Sequence, residues 1–427
     1  MRDIAVLMLL LGAVAMALRA PWYGVLALAV FGYLNPHRYA WGFSTELPVY
    51  QVLFIAVGVS FLIQNKDRQP IPSDWRIAAF YALWAYFVVT TLDAINPAAA
   101  TPMLVKVSKM YLPLIFTLFL INTREKLFYL IITIAASFGL IAVKGGIFAF
   151  ATGFAHRVQG PDGTHFAGNN EFAVATLMAI PLVILWRRET TSHTLRLALT
   201  GVIPLMFASA ISSQSRGALV TIVALVPLLL WHSKRKYLAF PVLALGLVAA
   251  AAVLPETWFG RMQTIETYQD DASAMGRIQA WRDGIAYALA NPLTGGGFDS
   301  WAWITEREWH SAYVEALAEH GFVGLLLWLS LLYGTIWSLT RLPRLTRHIP
   351  EMKWVSNYSY MLRASLAAYA AGSLFLGITY WDLLYHLIFI AVLVKKFALE
   401  ELAEHEGVKA AATNRRPWVE AGRVRTA

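Results

Sequence analysis

Three polar clusters in an otherwise apolar chain have the residue types and spacing to do chemistry. The first is Ser212-Ser213-Gln214-Ser215-Arg216-Gly217, immediately ahead of an apolar run. Ser215 is a candidate N-cap. The exposed N–H groups of a helix start beside the Arg216 guanidinium would favour a phosphate. An arginine that merely anchors a helix end at an interface has the same signature, so both readings stay open. The second is Arg277, at the beginning of an amphipathic stretch, with Arg282 following. A guanidinium can grip a diphosphate through two parallel hydrogen bonds. An exposed arginine on an amphipathic helix is the competing reading, and Arg282 reads as a solvated or lipid-headgroup contact. The third is Trp309-His310-Ser311-Ala312-Tyr313-Val314-Glu315. A helix expected over 310–319 puts His310 in its first turn, where the dipole disfavours imidazolium and leaves a neutral ring able to accept a proton. Glu315 would then point about 140° round the helix from His310 and would not orient it.

Weaker candidates fall in the loop 151–170: His156, Arg157, His165 and Asn169-Asn170-Glu171. Arg157 would extend a basic site, while Asn169 or Asn170 is expected to cap the following helix. Lys106, Lys109 and Lys144 sit in outer parts of apolar runs, where a cation needs an anionic partner or must snorkel. The turn Tyr380-Trp381-Asp382 and His386 read as interface anchors and a packed polar contact. No metal site is expected: there is no His-x-x-x-His or Asp-x-Asp pattern, and Asp270-Asp271 and Asp299 stand apart. With no cysteine there is no thiol chemistry. No cofactor is implied either. A leaving diphosphate would therefore be stabilised by arginines. Gly295-Gly296-Gly297 lacks the Lys-Ser/Thr of a phosphate-binding loop and reads as a flexible turn.

These clusters must be positioned by a membrane bundle. Hydrophobic residues make up 58% of the 427 and charged residues 14%, and long apolar runs recur throughout. Spans are expected at 47–63, 77–92, 103–121, 127–150, 171–186, 196–211, 216–231, 237–254, 321–340, 357–378 and 382–397. The net charge of +9 does not indicate nucleic acid, because Lys and Arg gather in alternate short loops, as they do when charge sets membrane orientation. Placing Lys66/Arg68, Arg124/Lys126, Arg187/Arg188, Lys234/Arg235/Lys236, Arg341/Arg344/Arg347 and Lys395/Lys396 inside leaves 35–46, 93–102, 151–170, 212–216, 255–320 and 379–381 outside. Residues 1–34 are expected to cross once, interrupted near Arg19-Ala20-Pro21. The reading is all-α and polytopic, with about twelve transmembrane helices and both termini cytoplasmic. Residues 1–254 hold the first helices, 255–320 a large helical outer loop, 321–397 the last helices and 398–427 a cytoplasmic tail. The 255–320 piece is too small for a core of its own and is expected to pack on the bundle. In it, Met275–Ala290 would form a helix with Ile278, Trp281, Ile285 and Leu289 on one buried face.

Ser215-Arg216-Gly217, Gly276-Arg277 and the His310–Glu315 motif, in this order and topology over roughly 150–330, resemble the O-antigen ligase and polymerase superfamily. Met1-Arg2-Asp3, Asn35-Pro36-His37-Arg38 and Trp41-Gly42-Phe43 resemble a subgroup of O-glycosylation ligases associated with exosortase systems. The resemblance implies a metal-independent, inverting glycosyltransferase of the bacterial inner membrane that works on the periplasmic side. Its donor would be an undecaprenyl-diphosphate-linked polysaccharide and its acceptor a hydroxyl of lipid A–core. Arg216 and Arg277, joined by Arg157, would hold the diphosphate, and His310 would deprotonate the acceptor. Ser215, Tyr313, Glu315 and Asn170 would be supporting residues. A protein O-oligosaccharyltransferase or a polymerase would use the same donor and base. A polyprenyl-glycan transporter would instead spread charges through the spans. Here they concentrate at one face.

Overall fold

Inside a membrane every backbone N–H and C=O must find a partner within its own segment, so the apolar runs become helices. A computed structural model describes residues 1–64, 68–231, 255–256, 258, 260 and 272–414, and among these residues all regular structure is helical. The span expected at 237–254, most of 255–271 and the tail beyond 414 lie outside the described residues.

The helices are α1 (Arg2–Arg19), α2 (Pro21–Ala29, continued by a π turn, Val30–Leu34), α3 (Val49–Ile63), α4 (Trp75–Leu92), α5 (Pro97–Leu120), α6 (Arg124–Ala151), α7 (Asn169–Glu189), α8 (His193–Ser212) and α9 (Arg216–Trp231). After the undescribed stretch come α10 (Ala272–Ala290), the short α11 (Trp301–Ile304), α12 (Ala312–Thr346), α13 (Lys353–Gly372) and α14 (Asp382–Asn414). Side-chain caps start several of them: Asp74 accepts from Arg76 N, Asn96 from Ala99 N, Thr123 from Lys126 N and Ser192 from Leu195 N. Among the described residues six helices are long and apolar enough to cross a membrane, and Pro21–Leu34, Val49–Ile63 and Arg216–Trp231 are shorter apolar helices. Most of the α7 span is buried, and α6, α8, α9 and α13 pack around it.

The loops sort to two ends. At one end Thr294 Oγ1 donates to Asp93 (2.5 Å), Ile95 N to Gly296 O (3.0 Å), Val158 N to Ser212 O (3.3 Å) and Ala312 N to Ser373 O (2.9 Å). All but Ser373, which was expected within the span 357–378, belong to the expected outer set. At the opposite end Asp74 pairs with Arg76 (2.7 Å) and Lys395 (2.9 Å), Lys396 reaches Gln69, and Asn357 donates to Glu189 (2.8 Å). Among the described residues these contacts agree with the expected alternation.

Three expectations change. Residues 1–34 form a hairpin and not one interrupted crossing. Arg2 donates to Tyr39 O and Asp3 accepts from Ser44 N and Oγ, while Gln64 at the far end of α3 donates to Leu18 O. The start of α1 therefore lies at the same end as the 35–46 segment, because the Ala20–Pro21 corner turns the chain back on itself. The triglycine 295–297 is clamped, not flexible. Gly296 N and Gly297 N donate to Ala318 O and Glu319 O (both 2.8 Å), Gly295 and Gly297 have φ of 63° and 81°, and a Cβ on any of the three would clash. On α10 the buried positions are Ala280, Gly284 and Ala288, whereas Ile285 and Leu289 are exposed. In a bilayer apolar side chains can face lipid, so small residues mark the packed face.

Candidate functional site

The 212–216 turn is built from its own hydroxyls. Ser213 Oγ donates to Ala210 O and accepts from Ser215 N, and Gln214 takes the left-handed conformation (φ 54°). Ser215 Oγ then accepts from Ala218 N at 3.2 Å, capping α9. Ser215 thus has its expected capping role, and Arg216 is the first residue of α9. The capping expected of Asn169 or Asn170 is not seen: Gly168 is the N-cap of α7, and Asn169 Nδ2 instead donates to Ser213 O at 2.8 Å, tying α7 to the turn.

Arg157, Asn170, Ser215, Arg216 and Arg277 line one cavity of about 200 Å³, closed by Phe375 and Leu376. The three arginines come from the 151–168 loop, the start of α9 and α10. Arg277 lies in the second turn of α10 and not at its beginning. The cavity combines guanidinium groups with the N-terminus of a helix, an arrangement that binds phosphate oxygens.

His310 precedes helix α12 and is not in its first turn: Ser311 is the N-cap, and His310 has φ of 46°. Both flanks of this left-handed residue are held. The Trp309 ring is buried against Gly284, its Nε1 donates to Glu319 at 3.1 Å, and its carbonyl accepts from Trp281 Nε1 at 2.7 Å. On the other side Ala312 N is bound to Ser373 O, and Thr379 Oγ1 donates to Ala312 O at 2.9 Å. The ring is half-buried. Burial first, then the positive charge of Arg277, holds its pKa below the ordinary value, with Glu308 opposing. Burial, and not a place in the first turn of a helix, is the leading cause of the lowered pKa.

Two supporting residues point elsewhere. Tyr313 bonds Tyr333 (2.8 Å) and Ala370 O (3.0 Å), and its ring meets Trp328 edge-on. Glu315 accepts from Thr379 N at 2.9 Å. Both position the start of α12. Tyr380 is not an interface anchor but joins a buried chain, Thr90–His320–Tyr380–Glu319. His386 is packed as expected, between Tyr33 and Thr117. Near Arg277 and His310 lie two residues that the sequence did not single out, Arg307, whose side chain lies over Gly276, and Glu308, while Glu171 is within electrostatic reach of Arg277. Glu308 stands two residues from His310, a signal that was open to reading. Among the described residues no group of three or more His, Asp or Glu could hold a metal.

Residues 201–329 match the family model described as O-Antigen ligase. Over these residues the chain is similar to the O-antigen ligase superfamily. The match takes in Ser215, Arg216, Arg277 and His310. Residues 1–191 match a family of unknown function, which includes Arg157 and Asn170. The cavity is thus shared between the two matched regions. A curated relative, the Exopolysaccharide production protein ExoQ of Rhizobium meliloti (strain 1021), is 28% identical over 27% of this chain and 32% of the relative. The chain therefore spans about a third of the length of the curated relative it matches.

Proposed function

We propose that the protein transfers a glycan from undecaprenyl diphosphate to a hydroxyl of lipid A–core at the periplasmic face of the bacterial inner membrane. The observation that carries this reading is the convergence of Arg157, Arg216 and Arg277 on one cavity with a neutral, backbone-held histidine within electrostatic reach of Arg277. The acceptor oxygen attacks the anomeric carbon as the bond to diphosphate breaks, which inverts that centre. His310 takes the hydroxyl proton in the same step. The three guanidiniums and the α9 N-terminus receive the charge that develops on the leaving diphosphate. No nucleotide or metal is needed in this scheme, since the diphosphate ester is already activated.

The resemblance to an exopolysaccharide production protein favours a second reading, in which the acceptor is the sugar end of another lipid-linked chain and the protein is a polymerase. One assay separates the two. Purified protein is mixed, with chelator present, with an undecaprenyl-diphosphate-linked glycan and lipid A–core that lacks O-antigen, alongside His310→Ala. Glycan on the core lipid with the native protein alone supports the ligase. A lengthened donor with bare core lipid supports the polymerase. If no product forms with either acceptor, both readings fall.

A further inference from the structure

A second cavity at the same end of the bundle, of about 510 Å³, shares no lining residue with the arginine cavity. Its size is that of small-molecule sites. Its walls come from the 35–51 segment, Met110 of α5, residues 163–165 and Asp382 at the start of α14. Nearly all of it belongs to the region that matches a family of unknown function.

The walls are built. Asn35, in the left-handed conformation, donates from Nδ2 to Gly32 O at 2.7 Å, and Asp3 accepts both the N–H and the hydroxyl of Ser44. Arg38 lies over Gly163, where φ is 70° and a Cβ would come within 3.0 Å of the guanidinium. His37 is only 7% exposed, and its Nδ1 has no hydrogen-bond partner among the described residues. A buried polar atom of this kind calls for a partner. Burial pushes its pKa down to about 4, so the ring is neutral and offers one donor and one acceptor.

The lining chemistry selects the ligand class. Arg38 and Gln51 donate, Glu46 and Asp382 accept, and Tyr50 and Phe31 offer rings. A simple anion would be opposed by the exposed Glu46 carboxylate. A saccharide suits the mixture, because its hydroxyls both donate and accept while its C–H faces pack on aromatic rings. Just below this wall, Val52, Ile55, Val59 and Leu62 form one exposed apolar stripe along α3. From the cavity, His165, Lys106, Asp299 and Glu308 lie successively within electrostatic reach of one another as far as His310.

We infer that this cavity binds the saccharide of the acceptor, a membrane-anchored glycolipid whose lipid lies along α3 and whose reacting sugar extends toward His310. That the bound saccharide is the acceptor rests on the transferase reading; that the cavity binds saccharide does not.

The test uses the purified full chain in detergent, with the lipid-free oligosaccharide released from lipid A–core as probe and ligand-observed NMR as readout. Glu46→Ala and Gln51→Ala change exposed side chains, and His37→Ala removes the buried one. Each is expected to weaken saccharide binding at least tenfold, while Arg277→Ala binds the probe like the native protein. In the transfer assay, Gln51→Ala should raise the acceptor KM and leave the donor KM and kcat unchanged. Unchanged binding in all three cavity variants overturns the inference. Binding of the delipidated donor glycan in place of the core saccharide overturns the assignment to acceptor. A protein that binds saccharide in the cavity yet transfers nothing would sink the transferase reading and leave the cavity as a saccharide site.

Discussion

Arg277 acts at two places: it lines the arginine cavity, and its charge helps to hold His310 neutral. A base must be neutral to act, and a pKa below 6.5 keeps His310 neutral into mildly acidic solution. Its useful state is present above the lowered pKa and is lost as pH falls through it. Removing a neighbouring positive charge eases protonation and raises that pKa. Arg307→Ala, which removes a charge beside His310 outside the cavity lining, should therefore shift the acid limb of the kcat/KM–pH profile to higher pH and leave the plateau near the native value. An unmoved limb would separate His310 from the rate. His310→Ala should lower kcat by about 10²–10⁴ while the protein still elutes as a folded species from size exclusion. Arg277→Lys should recover little of the loss in Arg277→Ala, because an ammonium cannot make the paired contacts of a guanidinium. Donor KM and kcat for the two variants measure this.

At the scale of elements, His310 is placed by a short helix wedged between others. The segment 312–320 ends at Gly321, whose φ of 63° breaks α12, and a Cβ there would fall on the carbonyl of Leu293. Its end is cradled by Gly296 N and Gly297 N, and Glu319 carries Trp309, the neighbour of His310. Gly297→Ala should cost about 1–3 kcal/mol of backbone strain alone and more from its overlap with Ala94, read as a lower midpoint of thermal unfolding. Glu319→Gln keeps the acceptor oxygen for Trp309 and should retain more activity than Glu319→Ala, which strands the Trp309 N–H in a buried site. Equal activity in the two variants would show that this bond does not hold His310.

For the whole molecule, the hairpin of α1 and α2 puts Arg2 at the same end as the site and Glu404 at the other. The chain has no native cysteine, so single replacements report cleanly. Arg2→Cys and Trp41→Cys should react with an impermeant maleimide on intact cells, and Glu404→Cys only after lysis. Labelling of Glu404→Cys but not Arg2→Cys on intact cells would reverse the proposed orientation.

The helical class was legible in the sequence, and two of the arginines singled out there, Arg216 and Arg277, meet at one cavity. Apolar runs must be helical in lipid, charge gathers at span ends, and a guanidinium suits a phosphate. What tertiary structure decided was how these parts meet. Residues 4–18 and 21–34 are each short for a span, so length alone favoured one crossing, and only the contacts of Asp3 with Ser44 and Leu18 with Gln64 reveal a hairpin. Helical periodicity chose Ile285 and Leu289 as the buried face of α10, but lipid can take up apolar side chains and Trp309 needs the space above Gly284. Three glycines read as a flexible turn, although the missing side chain of Gly295 admits the backbone of 318–321 and that of Gly297 admits Ala94. The position of His310 outside its helix, and its closeness to Arg277 and Glu308, depend on contacts between segments far apart in the chain. No local pattern of residue types encodes such contacts.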